Sequence, residues 1–242
     1  MKEIALQKQD LPPRIDHKEE VYKKRNKIIS ILVTIVLIIA IVLSASYIII
    51  FSIFSPVYIQ GQSMAPTLNN FTQIANTDFR EFGLMDTNVK TLERGDVAIF
   101  DVSNDQSGNY IVKRVIGLPN ETIRIVDGGG ANPDYIRITN NNSTFVLEED
   151  YLTETAKRIT YSGSYGTAND LILGDNQYFL LGDNRGNSQD SRAIGPVVSS
   201  KLTGKLIVIH GYYEVIMSYD GGQYSERTLT HYYAPWKYRF YL

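Results

Sequence analysis

The sequence contains no cysteine, which removes disulfides, thiolate metal sites and thiol nucleophiles in one step. Histidine is scarce. His17, His210 and His231 stand far apart, too few and too dispersed for a histidine-rich metal cluster, so no metal and no other cofactor is expected. Basic charge is not in excess: 24 Lys and Arg against 26 Asp and Glu leave a formal net charge of -2. No local basic patch follows the first thirty residues, so a nucleic-acid partner is not expected. Sustained helical periodicity is also missing after residue 55, apart from a short stretch at 148–158 that could be helical. What remains, 43% hydrophobic and 21% charged side chains over 242 residues, can bury one substantial core, or one core with a satellite.

The longest apolar run comes first. Residues 1–27 form a polar tail with Pro12-Pro13 and a basic flank of Lys23, Lys24, Arg25 and Lys27. Residues 28–54 carry no charge, and a helix of that length would span roughly 40 Å, more than the roughly 30 Å hydrocarbon core of a bilayer. A single transmembrane helix is expected there. Because Lys and Arg crowd its N-terminal side while none occurs between residues 55 and 73, the positive-inside rule places the N-terminus in the cytoplasm and the rest outside. The competing reading is a cleaved secretory signal, for which Ser44-Ala45-Ser46 supplies small residues. The apolar run resumes at Tyr47-Ile48-Ile49-Ile50-Phe51, which suits a span and not a cleavage site.

Beyond residue 55 the pattern is short runs rich in Val, Ile, Tyr and Phe between Gly, Asn, Asp and Pro clusters, which predicts a mostly β, antiparallel fold. Strands are expected at 97–102, 110–117, 122–126, 135–139, 178–181 and 205–210. Gly128-Gly129-Gly130 and Asn140-Asn141-Asn142 read as turns. The polar region around them, at about 124–175, reads as a β subdomain inserted into an extracytoplasmic domain of residues 55–210. Residues 211–242 form a separate C-terminal segment with eight of the seventeen tyrosines, Trp236 and Phe240. Two readings of it stand side by side, a membrane-interface aromatic belt and a last β-hairpin covering the core. Arg94-Gly95-Asp96 reads as the turn into a strand rather than an adhesion tripeptide, and the glycosylation triplets at Asn120, Asn141 and Asn142 carry little weight.

Three stretches hold side chains that could do chemistry. The first is Gly61-Gln62-Ser63-Met64-Ala65-Pro66-Thr67, a constrained turn with an exposed serine just after the apolar run. A serine hydroxyl is a weak nucleophile until a base takes its proton. His210 and His231 lack a distinctive turn or an acidic neighbour, and His210 reads as a strand-end residue. The second stretch, 110–117, offers a lysine: on an extended strand Lys113 shares its face with Ile111 and Val115. At its reference pKa of about 10.4 a lysine is neutral only about once in 2,500 molecules at pH 7, but burial can lower that value by several units. A lysine snorkelling from a half-buried strand is the alternative. The third stretch is the polar block 182–192, where Asp183 with Arg185, and Asp190 with Arg192, are spaced to pair on an extended segment. There Ser188 could hydrogen-bond a neutral lysine.

With these residues in order, behind an N-terminal anchor, the chain resembles the bacterial type I signal peptidases, membrane-bound serine proteases with a serine-lysine dyad. The resemblance rests on residues 61–68, 94–100, 110–119 and 182–192 and covers roughly residues 20–210. It implies Ser63 as nucleophile, Lys113 as general base and later general acid, and Ser188 as a lysine-positioning residue. Met64 would pack beside the nucleophile, and Asp183, Arg185, Asp190 and Arg192 would give structural support. Two positions depart from the family pattern. Some members have a hydroxyl residue as oxyanion donor where this chain has Gly61, leaving the backbone N–H of Ser63 as the obvious donor, with another backbone group or a water to complete the hole. Leu118-Pro119-Asn120-Glu121 stands where the family usually continues Pro-Gly-Asp.

The resemblance further implies a single-pass enzyme of the cell membrane that cuts signal peptides from exported preproteins on the outer face. Small residues would occupy the first and third positions before the cut, and membrane lipid and the secretion translocon would be its neighbours. Two rivals are an anchored β domain that binds without catalysis, and a self-cleaving repressor-type serine-lysine protease. The first leaves the grouping of Ser63, Lys113 and Ser188 unexplained, and the second gives no reason for the span.

Overall fold

The uncharged run folds as helix α1, His17–Ile53. Its composition explains its exposure, since side chains that are apolar all round have no polar face to give to water. The few hydroxyls in it bond back to their own helix: Thr34 to the Ser30 carbonyl, Ser44 to Ala40 and Ser46 to Val42, each four residues earlier at 2.8 to 2.9 Å. Residues Glu20–Ile50 are long and apolar enough to cross a membrane. The computed structural model describes residues 17–71, 77–103, 109–129, 132–141, 143–160, 169–220, 223–233 and 237–241. Trp236, Gly130, Asn142 and most of the N-terminal tail lie outside them. The chain divides into two units, Met1–Ser52 and Ile53–Leu242.

In the second unit the strands are β1 Phe54–Ile59, β2 Thr77–Asp86, β3 Val97–Asp101, β4 Tyr110–Gly117, β5 Thr122–Val126, β6 Tyr135–Thr139, β7 Thr144–Val146, β8 Leu171–Ile172, β9 Gln177–Leu181, β10 Val197–Val198, β11 Leu202–Asp220, β12 Gln223–Tyr232 and β13 Arg239–Phe240. Among the described residues it also has two short α-helices, α2 Glu154–Lys157 and α3 Ser191–Ile194, and a 3-10 turn at Ser199–Lys201. The larger sheet runs β1-β2-β11-β3-β4-β9-β10, with β12 and β13 also on β11; the smaller runs β7-β6-β5-β8. Every strand pairing among the described residues is antiparallel.

Strand β11 is the axis of the larger sheet. Its register against β2 shifts between Leu206 and Val208 and again between Ile209 and Gly211. Such bulges bend a strand and increase its twist. β2 tolerates the bend through Gly83, where an added Cβ would fall 1.8 Å from the Val208 carbonyl oxygen. His210, read as a strand-end residue, therefore lies well inside β11, edge-on to Phe82 at 4.9 Å. The division expected at residues 210 and 211 has no counterpart in the sheet: β11 runs through it, returns as β12, and is paired by β13 as well. The aromatic segment thus contains a hairpin, and Tyr233 and Tyr241 pack on the core.

That core joins Val57, Ile59, Met64 and Leu68 to Val97, Ile99, Leu206 and Ile209. A second cluster ties the smaller sheet to the larger, placing Ile123, Ile125, Ile136 and Ile138 against Ile116, Phe179 and Leu181. In the turn after β4, at the departing residues, Asn120 takes φ 67, which asparagine tolerates, and buried Glu121 accepts from the Leu118 N–H at 2.8 Å.

Candidate active site

Strand β1 ends at Ile59 and the chain turns at Gly61, whose φ of +81 favours glycine. An L side chain would strain the backbone at this angle. Residues 61–68 then form a short coil, with Ala65 N–H on the Gln62 carbonyl at 3.1 Å and Leu68 N–H on that of Met64 at 2.9 Å. Met64 and Leu68 are fully buried in the core, and this leaves the side chain of Ser63 facing the cleft.

The coil is held from both sides. Asn69, buried with φ 51, donates from Nδ2 to the carbonyls of Ile59 at 2.7 Å and Gly61 at 2.8 Å, tying its two ends together. Asn184 donates its N–H to the Ser63 carbonyl at 3.0 Å and its Nδ2 to that of Gln62 at 3.0 Å. Gly182 sits in the angle between: an added Cβ would lie 2.4 Å from the Ser63 carbonyl oxygen and 2.2 Å from Ser188 Oγ.

Lys113 comes from β4 and places Nζ 2.8 Å from Ser63 Oγ and 3.0 Å from the Val112 carbonyl oxygen. It is 4% exposed. Burial lowers its pKa from 10.5 to about 8, against the pull of Asp190 and Asp183, whose charges raise it. Each carboxylate is already claimed by an arginine. Arg114 holds Asp183 with two bonds at 2.9 and 2.6 Å, and Arg192 holds Asp190 with two at 2.9 and 2.8 Å. Burial works against the Asp190 charge, but the Arg192 guanidinium keeps that carboxyl below the usual range. Desolvation of the amine thereby outweighs the nearby acids.

The polar block differs from its expected pairing in one respect. Asp190 and Arg192 do pair, whereas Asp183 and Arg185 do not. The Arg185 N–H bonds the Asp183 carbonyl at 3.1 Å, so the segment is a tight turn instead of extended and the two side chains diverge. Asp183 reaches Arg114 and the Thr67 hydroxyl. Arg185, fully enclosed, reaches Glu149 and, at 2.7 Å, Thr160. Ser188 is near enough to Asp190 to help lower its pKa, yet its enclosed Oγ has no partner at hydrogen-bonding geometry among the described residues. The bond expected between Ser188 and Lys113 is absent; Ser63 and the Val112 carbonyl take the amine instead.

Two clefts meet at Ser63 and Lys113. One, about 980 Å³, runs past Asn187, Gln189, Pro196 and Val198; the other, about 600 Å³, past Val57, Met85, Tyr110 and Val112. Both are bordered by residues 60 and 61 on one side and by Asn109 and Ile111 on the other, which leaves a channel between the end of β1 and the start of β4. Among the described residues no group of three His, Asp or Glu is arranged to hold a metal. His210 and His231 line neither cleft.

Thr67, Asn69, Arg114, Glu149, Thr160, Gly182 and Asn184 complete the site beyond the residues singled out by spacing. Thr67, Arg114, Gly182 and Asn184 lie within the three stretches singled out above, whereas Asn69, Glu149 and Thr160 carried no signal in the sequence.

The family described as signal peptidase, peptidase S26, matches residues 28–211. Signal peptidase I U of Bacillus subtilis (strain 168) is 33% identical over 174 residues, 70% of this chain and 80% of that one. Signal peptidase I S of the same strain is 32% identical over 157 residues, 63% and 74%. A solved signal peptidase I from Enterococcus faecalis V583 aligns with 49% of this chain and 99% of its own at 31% identity and a TM-score of 0.35. The chain belongs to the signal peptidase family of peptidase S26.

Proposed function

We propose that this chain is a membrane-anchored serine endopeptidase that removes signal peptides from exported preproteins, with Ser63 as nucleophile and Lys113 as general base. The observation that carries the reading is the 2.8 Å contact between Ser63 Oγ and the Nζ of a lysine that is 4% exposed. A neutral amine at that distance takes the hydroxyl proton as Ser63 Oγ attacks the scissile carbonyl carbon. The Ser63 N–H, which has no acceptor among the described residues, faces the developing oxyanion as one donor, and a further backbone group or a water supplies a second. As the carbon–nitrogen bond breaks, the Lys113 ammonium returns its proton to the leaving amine of the mature protein. A water then attacks the acyl carbon, giving its proton to Lys113; as the bond from that carbon to Ser63 Oγ breaks, Lys113 returns the proton to Oγ, and the signal peptide leaves with its new carboxylate and the dyad restored.

Ser188 acts as a positioning residue, its unpartnered Oγ available to Lys113 once Ser63 is acylated. Met64, Asp183, Arg185, Asp190 and Arg192 give structural support. The substrate lies extended in the channel between β1 and β4 and presents small side chains at the first and third positions before the cut. The basic flank of α1 faces the cytoplasm, the β unit lies outside, and lipid and the secretion translocon are its surroundings. To test the reading, the full chain in detergent is incubated with a preprotein beside Ser63→Ala and Lys113→Ala variants. Wild type cuts once, after the signal segment, and both variants are slower by a factor of at least about 10³. A Lys113→Ala variant as fast as wild type overturns the dyad.

A further inference from the structure

The C-terminal arm beyond β12 reaches the nucleophile coil. Arg239 Nη1 donates to the Thr67 carbonyl at 2.7 Å, its Nη2 pairs with Glu81, and Tyr241 OH reaches the same Thr67 carbonyl at 3.4 Å. Tyr233 OH donates to Glu81 at 2.9 Å, and burial beside Glu81 raises its pKa, which keeps it a donor. Glu81 is 2% exposed and uses its other oxygen to accept the Asn69 N–H at 2.8 Å, while its own N–H bonds Asn69 Oδ1 at 2.8 Å. Asn69 in turn ties the two ends of the coil that carries Ser63. Tyr233, Arg239 and Tyr241 all lie past residue 211, where the family match ends.

We infer that the arm is a positioning clamp for the nucleophile: Arg239 and Tyr233 hold the Glu81 carboxylate, and through Asn69 and the Thr67 carbonyl they fix Ser63 Oγ within reach of Lys113. A carboxylate as enclosed as Glu81 needs its partners, because a buried charge left unpaired displaces the groups around it or takes up a proton. Either change slackens Asn69 at the left-handed conformation it occupies. Neither Arg239, Tyr233 nor Tyr241 lines the two clefts, so the clamp governs the chemical step and leaves substrate contacts alone.

The inference rests on Ser63 being the nucleophile, and the test separates the two. Steady-state kinetics with a preprotein are measured for the full-length wild type, Ser63→Ala, Arg239→Gln and Arg239→Lys, with the folded fraction of each followed by circular dichroism at the assay temperature. Arg239→Gln lowers kcat at least tenfold with KM within threefold of wild type and the folded fraction unchanged. Arg239→Lys, which keeps a donor to Glu81, recovers part of that loss. If Arg239→Gln does not accumulate as folded protein, Glu81→Gln with Arg239→Met removes the orphaned charge, and its kcat is low by the same criterion. A kcat within threefold of wild type in either variant, a loss that merely follows the folded fraction, or KM rising as far as kcat falls, overturns the clamp. A wild type that cuts, a dead Ser63→Ala and an unimpaired Arg239→Gln remove the clamp alone; a wild type that does not cut removes the nucleophile reading and the clamp with it.

Discussion

A lysine surrounded by water keeps its proton well above neutral pH, so the enclosure of Lys113 is a chemical device with a cost in stability. Its pKa, lowered to about 8, makes the neutral amine available on the alkaline side of neutrality. The rate constant kcat/KM therefore rises with pH along a limb whose midpoint lies near 8. The same shift sets a stability slope. Because the folded pKa lies below the ordinary 10.5, the unfolded chain binds more protons between about pH 8 and 10.5, and stability increases with pH across that window. Below pH 8 the full penalty of enclosing the ammonium is present, on the order of 3 kcal/mol at about 1.4 kcal/mol per factor of ten in proton affinity. Lys113→Met removes that penalty along with the proposed base. The variant is inactive, melts above wild type at pH 7 in the same detergent, and loses the advantage as pH approaches 10.5. A Lys113→Met chain that melts below wild type at pH 7 contradicts this account of the pKa.

At the scale of elements, legibility followed range. Strands β3, β4, β5, β6 and β9 were legible because β-branched and aromatic side chains alternate or run between clear turn residues. β1 and β2 were not. β1 follows the apolar helix with no break in hydrophobicity, while β2 carries Asp78, Arg80, Glu81 and Gly83, a composition that a strand accepts only because β1 and β11 cover it. In the site, Ser63 and Lys113 stood out as residue types in unusual settings, but the pairs Arg114 with Asp183 and Arg185 with Glu149 span 69 and 36 residues and no local spacing announces them. Gly182 shows the same limit. Its part comes from what lies above its Cα, the Ser63 carbonyl and the Ser188 side chain. Gly182→Ala accordingly pushes the nucleophile coil away from the polar block and lowers kcat by at least a hundredfold. Adding Ser188→Gly clears the side chain but not the Ser63 backbone, so the double variant stays impaired; recovery to within threefold of wild type would show that the Ser63 carbonyl is not the obstacle.

For the whole molecule, the span and the β unit matter together because the substrate also carries an apolar segment. A preprotein whose signal segment shares the bilayer with α1 searches for the clefts in two dimensions, at an effective concentration set by the membrane area. A soluble peptide with the same cleavage sequence and no apolar segment searches in bulk. The two respond differently to lipid. In proteoliposomes at fixed bulk concentrations of enzyme and preprotein, and below saturation, a tenfold increase in lipid spreads both over ten times the area and lowers the initial rate about tenfold. Cleavage of the soluble peptide stays within twofold across the same series. Truncating the chain before Phe54 abolishes the contrast, since an unanchored β unit meets both substrates from solution. Equal lipid dependence for the preprotein and the soluble peptide would mean that the anchor tethers the enzyme without helping it find its substrate.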